Sequence, residues 1–169
     1  MKMKWLIPIC FVVIFGLFAM KFMNQEDKYD AVEDQVEING ILLGMTIEDV
    51  EKVLGKQLEK LDMMGGDGYF DSETESTYYF DLDGSYKNML TGIRTEFEEY
   101  DLFGINVGDN LSVANEILIK NGFSKIEGAI GAYQKRNLFI RLDANSSNNT
   151  KIINIDLWIE DKSSEDITY

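Results

Sequence analysis

A chain of 169 residues with 30 acidic and 16 basic side chains has a net charge of −14. Setting aside Lys2, Lys4 and Lys21 leaves 13 basic residues after Met23, a balance of −17, which suits neither nucleic acid nor anionic lipid headgroups but leaves cationic partners and metal ions open. Histidine is absent and the only cysteine is Cys10, so Ser/His/Asp and Cys/His nucleophile pairs, imidazole-ligated zinc, thiolate clusters and disulfides are excluded, and no cofactor is expected.

Residues 1–23 start with Lys2 and Lys4 and run apolar from Trp5 to Met20 before Lys21. Residues 5–23 as a helix would extend about 28 Å, close to the hydrocarbon thickness of a bilayer, so the expectation is a single-pass transmembrane signal-anchor. The positive-inside rule puts the N-terminus in the cytoplasm and the C-terminal part outside it. Secretion after signal cleavage is the alternative, although Leu17-Phe18-Ala19 is a poor cleavage site. Residues 24–35, with Glu26, Asp27, Asp30, Glu33 and Asp34, read as a charged spacer.

The chain then repeats itself. Gly40 to Leu54, GILLGMTIEDVEKVL, matches Gly104 to Leu118, GINVGDNLSVANEIL, at an offset of 64 (40 to 104). Gly40, Gly44 and Thr46 fall on Gly104, Gly108 and Asn110, and Ile47, Val50, Val53 and Leu54 fall on Leu111, Ala114, Ile117 and Leu118. Each copy therefore predicts a short helix with one apolar stripe, capped by Thr46 (with Asp49 completing a capping box) or by Asn110, and stopped at Gly55 or at Asn121-Gly122. Before the first, Val36 and Ile38 alternate with Glu37 ahead of an Asn39-Gly40 turn.

Strands follow each helix. Gly68-Tyr69 and Ala132-Tyr133 mark a short one in each copy. Thr77 to Leu82 alternates, with Tyr78, Phe80 and Leu82 inward and Tyr79 and Asp81 outward; Asn137 to Leu142 repeats it at an offset of 60, as do Ile93, Thr95 and Phe97 against Ile153, Ile155 and Leu157. The predicted organisation is an α+β protein: the transmembrane helix (1–23), the spacer (24–35), a first αβββ repeat (36–100), a second (101–160) and an acidic tail (161–169). The helices are expected to pack on one face of an antiparallel sheet.

Candidate chemistry is sparse. Asp81-Leu82-Asp83-Gly84-Ser85 fails as a calcium loop, because the positions that need glycine and glutamate hold Tyr86 and Gly92. Glu96, Glu98, Glu99 and Asp101 read as a solvated rim, and Gly40-x-x-x-Gly44 lacks the lysine of a phosphate loop. The outward sheet face is more informative: Tyr79, Phe139 and Trp158 lie there with Arg94, Arg141, Asn154 and Asp156. Tyr79, Arg94, Phe139, Arg141 and Trp158 form the candidate binding set, since aromatic and arginine side chains dominate interface hot spots.

Ile41-x-Leu43-Gly44-Met45-Thr46-x-x-Asp49-Val50-x-x-Val53-Leu54-Gly55, followed by hairpins and repeated, resembles the β-lactamase-inhibitor-protein-like superfamily, which includes the SmpA/OmlA lipoproteins, over about residues 36–160. The resemblance implies an exported α+β protein whose tandem units share a sheet and whose open face binds another protein. The functional expectation is a membrane-anchored, extracytoplasmic, non-enzymatic interaction module with a protein or envelope partner. The alternatives are an acidic metal-binding or carboxylate-dependent envelope enzyme, or a structural accessory subunit of a membrane complex.

Overall fold

The computed structural model describes residues 36–63, 67–145 and 150–160. Its elements in chain order are β1 (Glu37–Ile38), β2 (Ile41–Leu42), α1 (Ile47–Leu54), β3 (Glu59–Leu61), β4 (Asp67–Asp71), β5 (Ser76–Phe80), β6 (Leu90–Thr95), α2 (Leu111–Lys120), β7 (Ser124–Lys125), β8 (Ala132–Lys135), β9 (Leu138–Ala144) and β10 (Ile152–Ile159). β1 and β2 form a small hairpin of their own. The other eight strands make one antiparallel sheet in the order β3-β4-β5-β6-β10-β9-β8-β7.

This corrects the expected architecture. The described residues are mostly β-sheet with two short helices, and each copy contributes four strands to the sheet where three were predicted. The single-pass membrane reading finds no support either: no helix among the described residues is long and apolar enough to cross a membrane. The predicted span, the charged spacer and the acidic tail lie outside the described residues.

The repeat survives in detail around each helix. Asn39 and Gly40 both have positive φ, 50° and 82°, as do Phe103 and Gly104, 57° and 81°, the backbone of a type I′ turn. Beyond them Gly44 N donates to Leu90 O at 2.8 Å and Gly108 N to Ile152 O at 2.7 Å, tying each helix start to the last strand of its own copy. Thr46 Oγ1 accepts from Asp49 N and Asp49 reaches back to Thr46 N, while Asn110 Oδ1 accepts from Ser112 N. Helices of eight and ten residues are too short to persist alone. Val50, Ala114 and Leu118 anchor them in a single core with Tyr78, Phe80, Ile93, Ile140, Leu142, Ile155 and Leu157. Val53 and Leu82, predicted to face inward, are exposed, because α1 turns Val53 toward solvent and β5 ends at Phe80.

Ladder registers revise the strand alignment. Tyr78 pairs with Ile93 and Leu142 with Ile155, so Tyr78 corresponds to Leu142 (offset 64) and Ile93 to Ile155 (offset 62). A bulge at Thr91, between the Tyr79–Gly92 and Phe80–Leu90 pairs, recurs at Ile153, which leaves Ile153 exposed where an inward residue was predicted. The offset of 60 was wrong by an even number of residues, so the assignment of faces along β5 and β9 survived it. β6 and β10 meet at the centre. Ile93 pairs with Leu157 and Thr95 with Ile155, so Arg94 pairs with Asp156, its own counterpart at offset 62. An approximate two-fold axis therefore passes between Arg94 and Asp156.

Candidate functional site

The alternation that sends Tyr78, Ile93, Ile140 and Leu157 into the core sends their neighbours to the opposite face. Tyr79 pairs with Gly92, Gly92 with Trp158 and Trp158 with Phe139, which places three predicted site residues in one cross-strand row. The Phe139 and Trp158 rings stack with centroids 5.4 Å apart and planes 13° from parallel. Gly92 has no side chain to separate the flanking residues, so Tyr79 Cδ2 and Trp158 Cβ close over it; an added Cβ would stand 3.3 and 3.5 Å from them. All three aromatics are partly exposed, and among the described residues none belongs to the core or packs against it.

The next row holds the other two predicted residues. Arg94 and Arg141 both pair with Asp156 across the ladders. The Arg94 guanidinium lies 3.6 Å from Asp156 and 4.0 Å from Glu96, while Arg141 Nε donates to Asp143 at 2.8 Å. Asp156 is thus left with a long ion pair. Burial pushes its carboxyl above the ordinary carboxylate range, against the attraction of Arg94. A shallow depression of about 260 Å³ opens beside it, walled by Tyr79, Arg141, Asp156 and Trp158. Glu96 sits just beyond β6, so the strand predicted to carry both Glu96 and Glu98 stops at Thr95.

Asn154, on the same face and cross-strand from Asp143, is 2% exposed, and neither its Nδ2 nor its Oδ1 has a hydrogen-bond partner. A buried unpaired amide costs about 1–3 kcal/mol. The alternation put Asn154 on this face, but its isolation depends on packing and had no sequence signal.

Two larger clefts lie at the helix starts. One of about 550 Å³ is lined by Asn110, Ser112, Asn115, Lys125, Ile130 and Tyr133, and one of about 360 Å³ by Thr46, Glu48, Asp67, Tyr69, Asp81 and Asn88. No group of three acidic side chains among the described residues is arranged to hold a metal ion. The repeat-motif residues Gly40, Gly44, Thr46, Gly104, Gly108 and Asn110 serve turns and caps.

The geometry defines a duplicated, mostly β domain with one sheet face packed under helices and the other carrying an aromatic and charged surface. No family model matches the sequence. No curated protein matches it. Solved structures are similar in fold. A cysteine-rich secretory protein (SAV1118) from Staphylococcus aureus subsp. aureus Mu50 matches with a TM-score of 0.52 and 11% identity, over 75% of this chain and 48% of that one. An extracellular protein containing a SCP domain from Bacillus anthracis str. Ames gives 0.49 and 8%, over 78% and 46%. The chain spans about half the length of these proteins, and identities this low speak for the fold alone.

Proposed function

We propose that this chain is a non-enzymatic interaction module that works outside the cytoplasm and binds a protein or envelope component through its outward sheet face. The observation that carries this reading is the Tyr79–Gly92–Trp158–Phe139 row: three partly exposed aromatic side chains held side by side by strand register and unused by the core. Aromatic side chains on a rigid sheet bring large contact area at little entropic cost, which is what binding surfaces select. The absence of histidine and of a cysteine after Cys10 favours binding over nucleophilic catalysis. A secretory protein among the structures of similar fold supports the extracytoplasmic placement.

The test is cross-linking of the tagged full-length protein in intact cells followed by mass spectrometry, with a Tyr79→Ala/Phe139→Ala/Trp158→Ala variant alongside. The expected result is a specific partner with the wild type, lost in a variant whose circular dichroism is unchanged. Equal capture by the folded variant refutes the sheet-face reading.

A further inference from the structure

The approximate two-fold axis gives each outward residue a counterpart, and the two ends of the face have diverged in one direction. Gly92 corresponds to Asn154 and Trp158 to Glu96 (offset 62), and Tyr79 to Asp143 (offset 64). One end of the face is therefore aromatic and the dyad-related end is carboxylate. Three features of the acidic end matter. Asp143 and Asn154 are cross-strand partners, and Glu96 lies one step past the Thr95–Ile155 pair, which brings it alongside Asn154. The Asn154 amide is buried there with both polar atoms unpartnered. The outward charges of the central strands and their ends are Arg94, Arg141 and Lys151 against Glu96, Asp143, Asp156 and Glu160, a net of −1 on a protein whose own charge is −14.

We propose that the outward face docks a segment of a partner protein that carries an apolar anchor and a basic side chain. The anchor sits in the depression between Tyr79 and Trp158, and the lysine or arginine lies against Glu96 and Asp143 beside Asn154. This rests on the function proposed above and specifies its partner. Gly92 and Asn154 are opposite Trp158 and the position of Glu96, so the two subsites are separated by four residues of ladder, about 13 Å at 3.3 Å per residue. An extended segment spans that distance in about four residues, a helix in about nine. Charge complementarity selects the cation, because an acidic segment would meet four carboxylates against three basic groups, of which both guanidiniums are already engaged with Glu96, Asp156 or Asp143.

Panning the immobilised full-length protein against a library of random displayed dodecapeptides tests the inference directly. The expected peptides are enriched in lysine or arginine together with an aromatic or large aliphatic residue. Their binding should fall at least tenfold in a Glu96→Gln/Asp143→Asn variant and weaken as salt rises from 50 to about 500 mM. Enrichment of acidic or uncharged peptides overturns the proposal, as does no enrichment, or binding unchanged in the Gln/Asn variant. Uncharged peptides that are lost only in the triple-alanine variant would leave the binding-face reading standing and remove the basic partner. Peptides that bind the triple-alanine variant equally would remove both.

Discussion

Replacing Asn154 with valine should make the protein more stable. The side chain is 2% exposed with neither amide atom hydrogen-bonded, and an unsatisfied buried polar group costs about 1–3 kcal/mol, a penalty valine does not carry. Valine adds a strand preference worth up to about 1 kcal/mol, offset by a similar amount if its branched shape fits poorly between Asp143 and Glu96. The net expectation is a gain of about 1–3 kcal/mol. For a domain of this size each kcal/mol moves the midpoint by about 3–5 °C, so thermal denaturation followed by circular dichroism should show a rise of roughly 3–15 °C. Two controls sharpen the reading. Asn154→Asp has nearly the same shape but buries a charge beside Asp143, and should be destabilising. Asn137→Ala removes the hydrogen bond that Asn137 Nδ2 donates to Tyr86 Oη at 3.3 Å, so it should bring no gain even though Asn137 Oδ1 is also unpartnered. A fall of several degrees in Asn154→Val would refute the reasoning, because it would mean that the amide is satisfied in the folded protein.

Tyr78 and Tyr100 share a buried hydroxyl–hydroxyl bond of 2.9 Å. Tyr78→Phe and Tyr100→Phe should each cost about 1–2 kcal/mol by urea denaturation and the double variant little more than either alone, whereas strict additivity would show that the pair is not coupled. Gly131 has φ +72°, and a Cβ there would run into the backbone oxygen of Leu142; Gly131→Ala should lose about 2–4 kcal/mol, and a loss under 1 kcal/mol would show that the β8 start can yield. Burial pulls the Asp71 carboxyl upward, but hydrogen bonds from Lys56 Nζ, Thr74 Oγ1 and Glu73 N outweigh it and hold it below the ordinary value. Its contribution is therefore present above the unfolded-state pKa and lost as pH falls through the folded one. Wild type should lose stability faster than Asp71→Asn on acidification below about pH 4, and parallel curves would contradict this. Asp156 has the opposite sign: its raised pKa favours the folded state while protonated and penalises it as pH rises through the folded value. The stability of Asp156→Asn relative to wild type should accordingly improve as pH rises above the unfolded-state carboxylate value of about 4, and a constant difference would count against the shift.

The parts of this fold legible in the sequence are those where local chemistry and tertiary structure agree. Thr46 with Asp49, Asn110, and Gly55 mark helix ends because their side chains or their lack of one satisfy terminal backbone groups in any context. The alternation of Tyr78, Tyr79 and Phe80 shows two faces without any knowledge of the partner strands. Strand correspondence between copies was less accessible. The β4–β5 connection has four residues, Ser72 to Glu75, and the β8–β9 connection only Arg136 and Asn137, so matching Tyr78 to Leu138 paired the right strands, β5 and β9, but four residues out of register. The fourth strand of each copy was missed for a different reason. β3 and β7 have three and two residues, edge positions and charged side chains, which protect a sheet edge from further pairing but erase the apolar pattern by which a strand is recognised. The turn at Phe103-Gly104 lacks the asparagine that signals its partner at Asn39-Gly40; Phe103 takes the left-handed backbone while its ring packs 5.6 Å from that of Phe123. The binding set of Tyr79, Arg94, Phe139, Arg141 and Trp158 was legible as a face, but the polarity of that face appeared only with the register.

That polarity follows from the position of the axis. In a sheet built by duplication, a residue on the two-fold meets its own copy, so two identical charges would stand directly opposite each other at cross-strand distance, an arrangement that destabilises the pair. Arg94 facing Asp156 resolves the conflict by divergence of the two copies. Once the central pair is unlike, nothing requires the rows on either side to remain alike. On the inner face Ile93 and Ile155 stay identical, while Ser76 and Ile140, and Thr95 and Leu157, have diverged within the buried layer. On the outer face, where the described residues supply no covering element, Tyr79 and Asp143, Gly92 and Asn154, and Trp158 and Glu96 differ in kind. Packing alone would accept aromatics at both ends or carboxylates at both. A face that places its aromatics at one end, its carboxylates at the other, and an unsatisfied amide among the carboxylates has the asymmetry needed to fix the direction in which a single segment lies across it.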